Sequence, residues 1–328
     1  MVPNKNEVQV IAASSGYSAI PVDRHDAPAS ITRRLRRLWL RSEALRGYLL
    51  LSPTLLVMVS LLALPLAMLL VLSFWTQDGI TFDRTFTLDN YREFFAYSDS
   101  PLYIKLLIRS VAMSAVSTGV ILLMSYPIAY YLAFRVRQHK VVWIILITVP
   151  FWISYLLRIF AWKVILGFDG LINSSLISLH LIDKPLEFLL YNPVAVTITL
   201  SHAWAAYAIL PIYVSLEKID RSLLEAATDL GDSKLKRFLR ITLPLSMPGT
   251  IASLLLVFIP TVGDYVTPTL VGGTSGMMIG NVIQTLVTTS DNMPMGAAAS
   301  VIMMFFVTML ICGLLLVVGK RHRQVKEL

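Results

Sequence analysis

Long apolar runs separated by short polar connections dominate this chain. Six of them reach the roughly 20 residues needed to cross a bilayer core of about 30 Å. They cover about 48–75, 106–134, 141–166, 193–216, 248–271 and 297–319. Each is continuous and not alternating in polarity, which predicts helices and argues against a β-barrel. The expected fold class is therefore an all-α polytopic membrane protein with six transmembrane helices. Pro65, Pro127, Pro150, Pro211 and Pro260 fall inside the runs. Membrane helices tolerate them because neighbouring groups re-satisfy the broken backbone bonds. No internal repeat or low-complexity segment interrupts the pattern. The expected organisation is a tail over 1–46, a transmembrane domain over 47–320 that includes a polar loop at 217–247, and a basic tail at 321–328.

Composition sharpens this picture. The chain has 328 residues, 56% of them hydrophobic and 15% charged. A soluble domain carries about a quarter charged residues. The formal net charge of +8 is a topology signal and not a nucleic-acid footprint. Basic residues recur on alternate connections. They are Arg33, Arg34, Arg36, Arg37, Arg41 and Arg46 before the first run, then Arg135, Arg137 and Lys140, then Lys218, Arg221, Lys234, Lys236, Arg237 and Arg240, and finally Lys320, Arg321, Arg323 and Lys326. The opposite connections are poorer, with Arg84, Arg92 and Lys105 in one, Lys184 in the next, and none between Val271 and Gly296. This asymmetry predicts that both termini lie in the cytoplasm. The arginine cluster reads as a cytoplasmic anchor beside the first run, with a lipid or partner site as the alternative. Residues 1–30 lack the layout of a cleavable signal peptide and read as a flexible tail. The single cysteine, Cys312, sits in an apolar run and is read as a core or lipid-facing thiol.

One polar stretch stands out, "EAATDLGDSKLKRFLRITLP" at 225–244. Ser222 and Glu225 have capping-box spacing, which predicts a helix starting at Leu223. Gly231 fits its end, and Asp232 or Ser233 can cap a second helix that Pro244 ends. Two short helices at a glycine hinge exceed what a connector needs. A short amphipathic helix held out from the membrane suits docking into a groove of another protein.

These residues resemble the EAA loop of ABC importer permeases. Glu225, Ala226, Ala227, Gly231, Ile241, Leu243 and Pro244 match its pattern, and its place between the fourth and fifth of six runs fits as well. The segments "PFWISYLLRIFAWKVILGFDGLINSSL" and "VFIPTVGDYVTPTLVGGTSGMMIGNVI" are similar to the spermidine/putrescine branch. The resemblance implies the type I importer fold, set in a bacterial inner membrane. It also implies a second, related permease, two cytoplasmic ATPase subunits and an extracytoplasmic substrate-binding protein. The loop then becomes the ATPase-coupling element, carried by Glu225, Ala226, Ala227, Leu230, Gly231, Leu243 and Pro244. No phosphate-binding loop occurs in the chain, so ATP and magnesium are expected on the partner ATPase and no cofactor on this chain. Permeases for opines or amino-phosphonates look similar in these segments. An ion-coupled carrier or channel is the alternative from another class, and it would not need such a loop. A membrane enzyme finds no reactive constellation here.

Charges inside a bilayer are costly and mark pathways or pairs. Asp264 lies about 24 Å beyond Pro248, and Arg158 about 26 Å beyond Val141, at about 1.5 Å per residue. Both are expected at similar depth. Phe151, Tyr155, Arg158 and Trp162 are spaced to share one helical face. Aromatic faces with a carboxylate suit a polyamine. The expected substrate pathway is therefore Asp264, Arg158, Tyr155, Trp162, Tyr265 and Phe151, with Arg158 either neutralising Asp264 or marking an anionic substrate. Lys163 is expected to snorkel outward. His202, with Trp204 and Tyr207, is a weaker pathway candidate, and the default reading is a buried, hydrogen-bonded histidine.

Overall fold

The computed structural model describes residues 43–79, 81–96 and 102–326. The expected N-terminal tail and nearly all of the arginine cluster lie outside them. The chain divides into two units, Met1–Pro65 and Leu66–Leu328. The described part of the first unit is helical from Glu43 onward, within α1 (Glu43–Leu72). Its 47–72 stretch is long and apolar enough to cross a membrane. Ser52 satisfies its hydroxyl on the Leu49 carbonyl at 2.8 Å, so this polar residue does not interrupt the apolar run.

After α1 the chain makes a short antiparallel hairpin, β1 (Thr76–Asp78) with β2 (Thr81–Asp83), in the register Thr76 opposite Asp83. The short helix α2 (Asp89–Ala96) follows. The centre of the second unit is three helices, α3 (Leu102–Phe134), α7 (Pro193–Glu217) and α10 (Leu243–Val262). Lipid supplies no hydrophobic drive between helices, so close contact of small residues and shared hydrogen bonds hold them together. Ser253 donates to the Ala208 carbonyl at 2.8 Å, and Ser125 to the Ala205 carbonyl at 3.2 Å. A Cβ on Gly249 would lie 2.3 Å from the Pro211 carbonyl oxygen. Ala129, Leu132, Ile212 and Leu216 fill the space where α3 and α7 meet.

Among the described residues, five helices are long and apolar enough to span a membrane, or six if one bent pair counts as a single span. That pair corrects the expectation of a continuous third helix. The chain runs as α4 (Lys140–Thr148), a 3-10 turn Val149–Trp152, α5 (Tyr155–Leu166) and α6 (Leu171–Ser178), bent by 87° at the break. Pro150 cannot donate its backbone bond, and Ile153 and Ser154 adopt extended ψ values of 137° and 136°. The fifth span also departs from expectation. It begins as α9 (Lys234–Arg237), passes through a wide π-helical turn at Phe238–Thr242, and continues as α10. Pro244 therefore does not end the second short helix. The wide turn lets Leu243 bond back to the Phe238 carbonyl, and Pro244 sits in the first turn of α10, where a missing donor is harmless.

At its far end α10 stops at Val262, short of the expected 271. Gly263 closes it, and a second π-helical turn forms at Pro268–Gly272. Helix α11 (Ile279–Thr288) then occupies a stretch expected to be loop. The last helix, α12 (Met293–Lys326), is longer at both ends than its apolar run. Cys312 on it is exposed, in line with a lipid-facing thiol.

Candidate functional site

Two regions carry the residues singled out by the sequence. The first is the polar loop. Helix α8 (Arg221–Asp229) is capped by Asp220, whose carboxylate accepts from the Ser222 N–H at 3.0 Å. The cap is thus two residues upstream of the predicted Ser222–Glu225 box, and the helix starts at Arg221 and not at Leu223. The Ser222 backbone N–H, with its hydroxyl second, holds the Asp220 carboxyl below its ordinary range.

Gly231 has φ +84° and lets the helix close on itself. Leu230 bonds back to Ala226, Gly231 to Thr228, and Asp232 to Ala227, each at 3.0 Å. Ser233 caps α9. Arg237 bridges the hinge to the Leu224 carbonyl and the Thr228 hydroxyl, and Arg240 reaches Asp232 at 3.4 Å. The two short helices are therefore braced into one piece. Glu225, Ala226 and Leu230 face outward, with Leu230 88% exposed, whereas Ala227 is buried. Leu243 and Pro244 are half-buried where this piece enters α10. Phe238 sets its ring edge-on against Tyr126 at 5.6 Å, which joins the loop to α3.

The second region surrounds Asp264, which is 8% exposed. Its position at the break after α10 makes it the cap of the following turn. One carboxylate oxygen accepts from the Val266 N–H at 2.9 Å and the Thr267 N–H at 3.3 Å. The other accepts from the Tyr155 hydroxyl at 2.5 Å and the Thr267 hydroxyl at 2.6 Å. Four donors compensate a charge that burial alone would make very costly.

Arg158 is also buried, yet it forms no ion pair with Asp264. It donates to the Ala203 carbonyl at 2.8 Å and lies 5.4 Å from the Phe151 ring centre and 5.7 Å from that of Tyr155. Tyr155 thus stands between the two charges, with its ring toward the cation and its hydroxyl on the anion. The expected direct neutralisation gives way to this indirect arrangement.

Tyr155, Arg158 and Trp162 share α5, but Phe151 lies before the bend and reaches the cluster from another direction. It meets Tyr207 at 4.4 Å, and Tyr207 in turn meets Trp204 at 5.2 Å. Trp162 packs on His202 at 5.5 Å. His202 is exposed on α7, so the default of a buried histidine is corrected. Tyr265 is 44% exposed. It lines a cavity of about 260 Å³ with Leu156, Thr269 and Gln284. Sequence reasoning missed Thr267 and the whole of α11. The Asp264-x-x-Thr267 spacing is an N-cap signal, hidden because the surrounding apolar run reads as uninterrupted helix.

Comparison with known proteins adds the family. Residues 35–323 match the family described as binding-protein-dependent transport system inner membrane component. The chain is 39% identical over 239 residues to the spermidine/putrescine transport system permease protein PotB of Escherichia coli (strain K12), covering 73% of this chain and 85% of that protein. It resembles in fold a bacterial ABC transporter involved in the import of the acidic polysaccharide alginate, with TM-score 0.65 and 17% identity, covering 90% of this chain and 98% of that one. A second structure of a bacterial alginate ABC transporter, in complex with an alginate pentasaccharide-bound periplasmic protein, matches at TM-score 0.65 and 16% identity, covering 86% and 94%.

Proposed function

Because the chain belongs to the family of binding-protein-dependent transport system inner membrane components, we propose that it is a permease subunit of an ATP-driven importer for polyamines of the spermidine and putrescine type. The carrying observation is the 39% identity to a spermidine/putrescine permease along 85% of that protein's length. The alginate importer shares the fold and takes an acidic polymer, so the fold by itself does not choose a substrate. Phe151, Tyr155, Trp204 and Tyr207 form an aromatic wall that accommodates a cation, since Phe151 and Tyr155 already hold the Arg158 guanidinium, and the Asp264 carboxylate stands behind it.

In this reading both termini are cytoplasmic, and α8 docks in a cleft of an ATPase subunit through the exposed face of Glu225, Ala226 and Leu230. ATP binding by two such subunits closes them and moves the docked helix. The braced loop passes that motion into α10 by chain continuity. The chain and a second, related permease then alternate between outward-open and inward-open states. An extracytoplasmic binding protein delivers the substrate.

The test is uptake by the reconstituted complex. Its binding protein should be stabilised against heating by spermidine or putrescine, and labelled polyamine should accumulate only with ATP. Stabilisation by an opine or amino-phosphonate instead, with no polyamine uptake, would reject the substrate class.

A further inference from the structure

Helix α11 carries its polar residues on one edge. Asn281, Gln284, Thr285 and Thr288 follow the spacing i, i+3, i+4, i+7. The opposite edge, Ile279, Val282, Ile283 and Leu286, packs into the core with Met295 and Leu106. The polar edge opens onto a cavity of about 390 Å³ lined also by Thr269, Thr274 and Met277. Gln284 lines this cavity and the adjoining one beside Leu156 and Tyr265 as well.

The polar groups along this edge are not equivalent. Asn281 spends its amide on the Tyr265 carbonyl at 2.9 Å and the Thr269 hydroxyl at 2.7 Å, while its oxygen accepts from the Met278 N–H at 3.0 Å. Thr285 and Thr288 return their hydroxyls to carbonyls one turn back, at 2.9 and 2.8 Å. The Gln284 side-chain amide takes part in none of the hydrogen bonds among the described residues, although it is half-buried. Hydrocarbon would leave such an amide unsatisfied at high cost, and a packed interior would demand a partner.

We infer that Gln284 faces the hydrated substrate path and contacts the passing ligand, with the Thr269–Tyr265 wall beside it. The ligand class is a linear aliphatic polyamine. Its ammonium groups donate to the Gln284 carbonyl oxygen, and its methylene chain lies along Tyr265 and Met277. An uncharged acceptor suits a transit point, because it binds an ammonium group weakly enough to release it. This inference rests on the polyamine reading for its ligand but not for its water exposure.

The test uses the single native cysteine. In the full complex with Cys312→Ser, a Gln284→Cys variant is treated with a charged, bilayer-impermeant thiol reagent. Ile283→Cys, on the packed edge, is the control. Fast labelling at 284 and not at 283, slowed about fivefold or more by spermidine and followed by loss of uptake, is the expected result. No labelling at 284 would overturn the inference, as would labelling that no transported solute slows. Slowing by a different transported solute but not by spermidine would sink the polyamine reading and leave the path assignment standing.

Discussion

The Tyr155 hydroxyl donates to the Asp264 carboxylate at 2.5 Å, joining α5, just past the bend, to the chain just past α10. Helix α5 begins and α10 stops at this meeting point, so the bond ties together two breaks. It also orients the Tyr155 ring against the Arg158 guanidinium. One aromatic side chain thereby contacts both buried charged groups.

Asp264 can be separated into a cap and a charge. Asp264→Asn keeps an oxygen for the Val266 and Thr267 N–H groups. It should leave assembly and basal ATPase activity largely intact while lowering polyamine uptake about tenfold. Asp264→Ala removes the acceptors as well and should cost about 1–3 kcal/mol, seen as a lower melting temperature of the purified complex. Normal uptake by the Asn variant would reduce Asp264 to a structural cap.

Gly249 is where α10 crosses α7. An added Cβ would lie 2.3 Å from the Pro211 carbonyl oxygen and 2.5 Å from the Ser215 hydroxyl. Gly249→Val should force the helices apart at a cost of about 1–3 kcal/mol or more, with lower membrane protein levels. Gly313→Ala on α12 meets nothing within 4 Å and should be close to neutral. Equal levels of both variants, with equal melting temperatures, would contradict the close crossing.

At Gly231 the constraint is backbone and not space, since φ is +84° and nothing lies within 4 Å of an added Cβ. Gly231→Asn should be tolerated better than Gly231→Val, because asparagine adopts left-handed backbone more readily. Gly231→Val and Glu225→Lys should both insert normally, lose transport and retain less ATPase in a pull-down from solubilised membranes. Full ATPase retention with normal uptake in both variants would make the loop an ordinary connector.

Orientation is tested by fusions. A reporter after Leu328 should be active on the cytoplasmic side, and one placed near Asp183 should report the opposite side. Reversed readouts would overturn the inside placement of both termini.

Some of this protein was legible in its residue order alone. The helical membrane class follows from the apolar runs, because a backbone in hydrocarbon must satisfy its own hydrogen bonds and a helix does so locally. The hinge at Gly231 and a cap at Asp232 or Ser233 were readable for the same reason, since caps act within a few residues, and the structure places it at Ser233. The loop's match to a transport family was equally local, a matter of residue type at fixed spacing. Other features needed the tertiary structure. The bend after Pro150, the stop at Val262 and helix α11 occur within or beside apolar sequence, where hydrophobicity does not distinguish a straight span from a broken one. Asp264 and Arg158 look like an ion pair in one dimension. In three dimensions Tyr155, Thr267 and the Ala203 carbonyl reach them first. Gln284 carries no signal in the sequence. Its importance comes from which edge of α11 packs inward, and long-range contacts with α3 and α12 decide that.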